Sequence, residues 1–200
     1  MSTELPLELI LLCFNYLTYS DADKLLKLKD DKITKLIQHH KWDDFTTEIK
    51  CNLKTWREKF PNAITVKIHQ GNKLKDVDFK YLEGIKKLSI IKQRNITDKA
   101  FENLRGIHTL NMSWCDQQTI TDKAFEHLQG IHTLNMAWCN QETITDKAFE
   151  HLQGIHTLDI AWCNQKTITY KALEQLQEIK ILTISNKSPE NIYGIKKIYR

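Results

Sequence analysis

Three cysteines recur at a spacing of 24 residues, Cys115, Cys139 and Cys163, and seven residues before each stands a histidine, His108, His132 and His156. Thiol and imidazole together could suggest metal binding or nucleophilic catalysis, but the spacing argues against both. If the 24-residue units stack, equivalent side chains fall in lines roughly 5 Å apart. A metal site needs ligands that converge from several directions, usually with close pairs such as Cys-x-x-Cys, and that pattern is absent. Within one unit the histidine opens a strand and the cysteine lies beyond its end, too far apart for the hydrogen bond that activates a nucleophile. There is no Gly-rich phosphate loop, paired-carboxylate site or nucleophile elbow. No catalytic residue, metal or cofactor is therefore expected, and the chain is not read as an enzyme.

The elements that would position these residues follow from the repeat itself. Ile144 to Thr167 repeats Ile120 to Thr143 with only three changes, Asn135 to Asp159, Met136 to Ile160 and Glu142 to Lys166, and Ile96 to Thr119 is a third copy. Such a period marks a solenoid. In Ile131 to Cys139 the alternation around Leu134 and Met136 predicts a short strand with one buried face. Thr145 can cap a helical segment that begins with Asp146, an acid suited to the positive end of the helix dipole; Ala148, Phe149 and Leu152 share a face before Gly154 ends it. One strand and two helical turns cannot bury their apolar sides alone, so the units must stack.

The pattern L-x-x-I-x-x-L-x-M-x-x-C followed by Ile-Thr-Asp resembles the cysteine-containing leucine-rich repeat, closely over Ile96 to Leu176. The resemblance implies an α/β leucine-rich-repeat solenoid, with the cysteine inward at the turn after the strand. Tyr170 in place of Asp and Glu178 in place of Gly fit a worn terminal repeat. Degenerate units extend upstream: Phe79, Leu82, Ile85, Leu88 and Ile90 match Phe101, Leu104, Ile107, Leu110 and Met112 at a spacing of 22, and Ala63, Val66 and Ile68 keep the strand pattern. With Ile179, Leu182 and Ile184, and a last pair at Ile195 and Ile198, about seven parallel strands are expected.

Period two sends the residues between the buried positions to the opposite, concave face. Thr109, Asn111 and Ser113, Thr133, Asn135 and Ala137, and Thr157, Asp159 and Ala161 make a floor of small side chains, flanked by one tryptophan per unit, Trp114, Trp138 and Trp162. Tryptophan is enriched among interface hot spots, yet a stacked indole ladder serves a structural role equally well. The expected target-binding residues are Thr109, Asn111, Trp114, Thr133, Asn135, Trp138, Thr157, Asp159 and Trp162.

Ahead of the repeats, Leu5-Pro6 opens an amphipathic helix with apolar residues at 9, 10, 13, 14 and 17. Ser20 or Asp21 can cap a second helix through Leu25, Leu26 and Leu28, and a third spans Ile33 to His39. A helical cap over the end of the stack is one reading of this head. The order Leu-Pro-x-Glu-hydrophobic-hydrophobic, then Phe14, Leu17, an acidic turn and a Leu-rich helix, also resembles an F-box over residues 4 to about 45, although its later Val and Trp-Arg part is blurred into Lys29 to Trp42. That resemblance implies docking of Leu5, Pro6, Leu9, Ile10, Phe14 and Leu17 on a Skp-family adaptor and, through it, a cullin. The chain would then be the substrate receptor of an SCF-type ubiquitin ligase, with an unnamed target protein on the concave face. A repeat scaffold without a ligase role, or a decoy for the adaptor, are the alternatives. The expected domains are 1–45, a helical F-box-like head; 46–62, a helical connector and cap; and 63–200, the repeats with their C-terminal cap.

Charge is bipolar. Residues 49 to 95 hold 12 Lys or Arg against 4 Asp or Glu, while residues 96 to 167 hold 5 against 9. The lysines alternate with core-like residues and no aromatic-basic platform accompanies them, so no nucleic-acid partner is expected. The longest apolar run, Leu9 to Phe14, is far too short for a membrane span, and Glu4 and Glu8 sit where a secretory signal would be basic. Five cysteines, three locked to the repeat, fit a reducing compartment rather than a disulfide framework. A cytoplasmic or nuclear location is expected. The Ile- and Lys-rich composition and near-identical duplications are similar to the repeat proteins of giant DNA viruses of amoebae.

Overall fold

The computed structural model describes residues 7–185 and 198–199, and one parallel sheet runs through almost all of them. Its eight strands are β1 (Glu48–Ile49), β2 (Thr65–Ile68), β3 (Lys87–Ser89), β4 (Thr109–Asn111), β5 (Thr133–Asn135), β6 (Thr157–Asp159), β7 (Ile181–Thr183) and β8 (Ile198–Tyr199), and their spatial order is their order in the chain. The registers Leu88↔Leu110, Leu110↔Leu134, Leu134↔Leu158 and Leu158↔Leu182 put one core leucine on top of the next. The segment read from sequence as a helical connector holds both β1 and a helix, Leu53–Lys59, so the sheet begins one strand earlier than the apolar pattern indicated.

Behind the sheet the core is a set of columns. Phe79, Phe101, Phe125 and Phe149 form one, and Leu82, Leu104, Leu128 and Leu152 another; all are buried. The helical half of each unit is shorter and tighter than an ordinary helix. Asp98–Phe101 and Asp122–Phe125 are single α-turns that run on as 3-10 turns, and Asp146–Leu152 is 3-10 throughout. Thr145 caps it as expected, its hydroxyl accepting from the Lys147 amide at 3.2 Å. The chain then reverses through Gly130 and Gly154 at φ near +80°, which a Cβ would strain. Glu178 in the last unit takes no positive φ, so that turn is built differently.

The aspartate at the head of each helical turn does more than face the helix dipole. Asp122 accepts hydrogen bonds from the amide (2.7 Å) and hydroxyl (2.8 Å) of Thr145 in the next copy. Asp98 holds Thr121, Asp146 holds Thr169 and Asp76 holds Thr97 in the same way. Each unit is thus fastened to its successor by a charge-assisted pair of bonds.

At the N-terminal end lie three helices, Leu7–Phe14, Tyr19–Leu26 and Asp31–His39. Thr18, rather than Ser20 or Asp21, caps the second, in a reciprocal capping box with Asp21. The head is welded to the array by an aromatic cluster of Phe14, Tyr19, Trp42, Trp56 and Phe60, all buried, with Tyr19 and Phe60 ring centroids 4.8 Å apart. The Tyr19 hydroxyl donates to the Thr65 carbonyl of β2, and burial pushes its pKa well up. Asp44 accepts from the Tyr19 amide (2.8 Å) and from Thr46 and Thr47. Its burial opposes ionisation, but these bonds outweigh it and hold the carboxyl below its usual range.

Candidate functional site

The outer face of the sheet is ruled by the same registers. One column on this face runs Thr65, Lys87, Thr109, Thr133, Thr157, Ile181, and a second runs Glu48, Lys67, Ser89, Asn111, Asn135, Asp159, Thr183, with Thr65 and Ser89 covered over. Thr109, Asn111, Thr133, Asn135, Thr157 and Asp159 are therefore brought side by side and half-buried, while Leu134 and Met136 on the same strand and its exit face the core. The amide and carboxyl side chains of the second column also build the turn after the strand. Asn111 Oδ1 accepts from the Ser113 amide, Asn135 Oδ1 from Ala137 and Asp159 Oδ1 from Ala161, at 2.9 to 3.1 Å. An acceptor is required there, which fixes Asn111 and Asn135 with their Nδ2 amides outward.

Beyond the turn the tryptophans stack face to face, Trp114 on Trp138 at 4.5 Å and Trp138 on Trp162 at 4.8 Å, with ring planes within 12° of parallel. The free face of Trp114 is covered by Lys92, whose Nζ lies 5.4 Å from the ring centre. All three tryptophans have φ between +60° and +63°, and Lys92 is at +59°. Each places its amide on the next unit, Trp114 on the Ala137 carbonyl and Trp138 on the Ala161 carbonyl, both at 2.9 Å. Sequence gave no sign of this backbone, because left-handed positions are usually marked by Gly or Asn. Trp138→Gly should therefore prove about 1 kcal/mol more stable than Trp138→Ala, a difference that paired urea titrations can resolve.

At the other end of each strand the histidines stack too, His108 on His132 at 4.6 Å and His132 on His156 at 4.2 Å. Backbone bonds continue the column to Lys86 before it and Lys180 after it. Burial, then the neighbouring His156 and His108 and Lys180, lower the His132 pKa; burial alone lowers that of His40, which packs on Trp42. For a base with a lowered folded pKa the unfolded chain takes up protons first. Stability should thus hold above about pH 6.5 and decline as pH falls below it. A second decline should begin below about pH 3.9, where the unfolded chain protonates Asp44 before the folded one does. Melting temperature against pH tests this, and His132→Gln should shrink the first step.

The cysteines line the core. Cys115 donates to the Ile90 carbonyl, Cys139 to Met112 and Cys163 to Met136, at 3.1 to 3.3 Å. Burial pushes the Cys115 thiol up to about 12 and that of Cys139 well above the usual value, so neither supplies a thiolate near neutral pH. Among the described residues no group of three or more His, Cys, Asp or Glu is placed to hold a metal ion. No helix among them is long and apolar enough to cross a membrane.

In the head, Leu5 and Pro6 lie outside the described residues. Phe14 points inward, its ring 5.9 Å from Trp42, and Ile10 and Leu17 pack partly against the same core. Leu9 is exposed, and so are Leu12 and Tyr16, which sequence reasoning did not single out. Their spacing of three and four residues from one another was the available signal.

No protein-family model matches the chain, and no curated protein matches it. Among solved structures the chain resembles TLR13 in the crystal structure of the TLR13–ssRNA13 complex, at 20% identity and a TM-score of 0.54 over 66% of this chain and 19% of that one. The fold is a leucine-rich-repeat solenoid. The solenoid also resembles the crystal structure of the Rad7 and Elc1 complex in yeast, at 16% identity and a TM-score of 0.41 over 52% of this chain and 30% of that one. It spans less than a third of the length of either matched chain.

Proposed function

We propose that this solenoid is a non-catalytic recruiting subunit, with the helical head as an F-box-type dock for a Skp-family adaptor and its cullin and the outer sheet face holding a target protein. The observation that carries the reading is the exposed apolar row on the first helix and the turn that follows it. Leu9 is 47% exposed and Leu12 56% on a helix that ends at the inward-turned Phe14, and Tyr16, in the turn just beyond it, is 87% exposed. A helix that only capped the stack would have no use for these residues. Docking on an adaptor would cover them, and target lysines held on the sheet would then be concentrated near a charged conjugating enzyme.

The test keeps the chain whole, since removing the head would uncover Trp56 and Phe60. Leu12→Glu with Tyr16→Glu should abolish co-purification of a Skp-family adaptor while leaving the circular dichroism spectrum and melting temperature unchanged. Undiminished adaptor recovery would sink the docking role. A scaffold whose head is a cap has its own support in the aromatic cluster and in the bond from Tyr19 to β2, and it predicts no adaptor in either sample.

A further inference from the structure

We infer that the outer sheet face between β4 and β7 is built for an extended acidic peptide segment, an assignment that rests on the proposed target-holding role and supplies its chemistry. The first support is an inventory of hydrogen-bonding groups. Asn111 and Asn135 spend their oxygens on the turn and leave Nδ2 as donor. The indole N–H groups of Trp114, Trp138 and Trp162 have no protein acceptor among the described residues, with Trp114 and Trp162 exposed and Trp138 half-buried. Indole nitrogen and amide nitrogen can only donate, so the face asks for a partner rich in acceptors.

Charge points the same way. The column Lys86, His108, His132, His156, Lys180 crosses every strand of this region. Lys86 is bound only to the Gly106 carbonyl, at 3.0 Å, and neither Lys86 nor Lys180 has a carboxylate partner among the described residues. Most of the acids that make the repeats net negative are elsewhere. Asp98, Asp122 and Asp146 hold threonines of the next copy, and Glu102, Glu126 and Glu150 sit in the helical turns across the core from the sheet. Toward the head the outward lysines are already neutralised, Lys67 by Glu48 at 3.1 Å and Lys87 by Asp43 at 3.6 Å, which sets the boundary of the surface. Within it Asp159 is the one outward carboxylate of the strand columns.

Single-stranded nucleic acid is the other acceptor-rich partner, and the stacking excludes it as the better fit. Such strands are held by bases lying on free aromatic faces. Here the indole faces between Lys92 and Trp162, and the imidazole faces between His108 and His156, are taken by the stacking itself. What remains to a partner along each row is ring edges and donors, which suits carboxylates.

The full chain would be titrated with three fluorescein-labelled probes: a dodecapeptide of alternating Glu and Ser, its Lys and Ser counterpart, and a single-stranded RNA dodecamer. The acidic peptide should bind, weaken with added salt, and lose about fivefold or more in affinity on Lys86→Glu with Lys180→Glu. Asp159→Asn, which recreates the residue of the other two copies, should tighten it about threefold, a gain that damage to the fold cannot mimic. Equal binding of both peptides, tighter binding of RNA, or indifference to both sets of changes would overturn the inference. Recovery of a native target from cells separates the two levels of the argument. A target lost on Trp138→Ala but retained on Lys86→Glu with Lys180→Glu leaves the face as the site and removes its acidic chemistry; a target indifferent to all of them removes the face itself.

Discussion

Replacing Phe125 by Ala is expected to cost about 3–5 kcal/mol of stability, the usual range for emptying a fully buried aromatic site. Phe125 is completely buried, between Phe101 and Phe149 in one column, and rigid repeats above and below leave the cavity little room to collapse. Because each unit touches only its neighbours, the damage should be local. Amide exchange should accelerate first in β4, β5 and the turns beside them, while the Tyr19, Trp42 and Trp56 cluster keeps its protection until the whole chain unfolds. Denaturant titration gives the total, and hydrogen exchange gives the map. A loss under about 1.5 kcal/mol, or uniform acceleration through the head, would show that the phenylalanine column does not dominate the fold.

The second large effect is expected at Asp122. Its carboxylate accepts the Thr145 amide and hydroxyl at 2.7 and 2.8 Å, and Asp122→Ala would leave a half-buried backbone N–H without an acceptor. Bonds to charged groups contribute roughly 1.5–3 kcal/mol each, and the pair shares one carboxylate, so a total of about 2–3 kcal/mol is expected. Asp122→Asn keeps an oxygen for the amide and an NH2 for the hydroxyl, and should recover more than half. If Asn proved as damaging as Ala, charge rather than bonding would be the source of the stability.

The repeats were legible because their periodicity is strong: Leu134, Met136, Phe149 and Cys139 declare their burial by recurring at the right intervals. The head helices were legible to within a few residues for the same reason. Two kinds of feature were not. Contacts between copies, such as Asp122 with Thr145, join residues 23 apart that each already had a local explanation as helix starter and helix cap. Backbone states without their usual marker were equally hidden, since nothing in Trp-Cys announces a left-handed tryptophan. At the candidate site, the alternation placed Thr133 and Asn135 outward, but that Asn135 spends its oxygen on the next turn and presents a donor depends on the turn's backbone, which the alternation does not encode. In the head, burial of Phe14 and exposure of Leu12 and Tyr16 depend on where Trp42 lies, which local sequence does not give.

The fastening between Asp122 and Thr145 has a consequence for how such a gene can change. The copies that begin at Ile96, Ile120 and Ile144 offer the same carboxylate upward and the same threonine downward, so a duplicated 24-residue stretch inserted between Thr143 and Ile144 would meet a matching joint on both sides. Slippage during replication could then lengthen or shorten the surface by one rung, about 4.8 Å, without any compensating substitution. Growth past the end of the array is another matter. Tyr170 occupies the position of that carboxylate in the copy that begins at Ile168, so a unit added after it would lack this fastening.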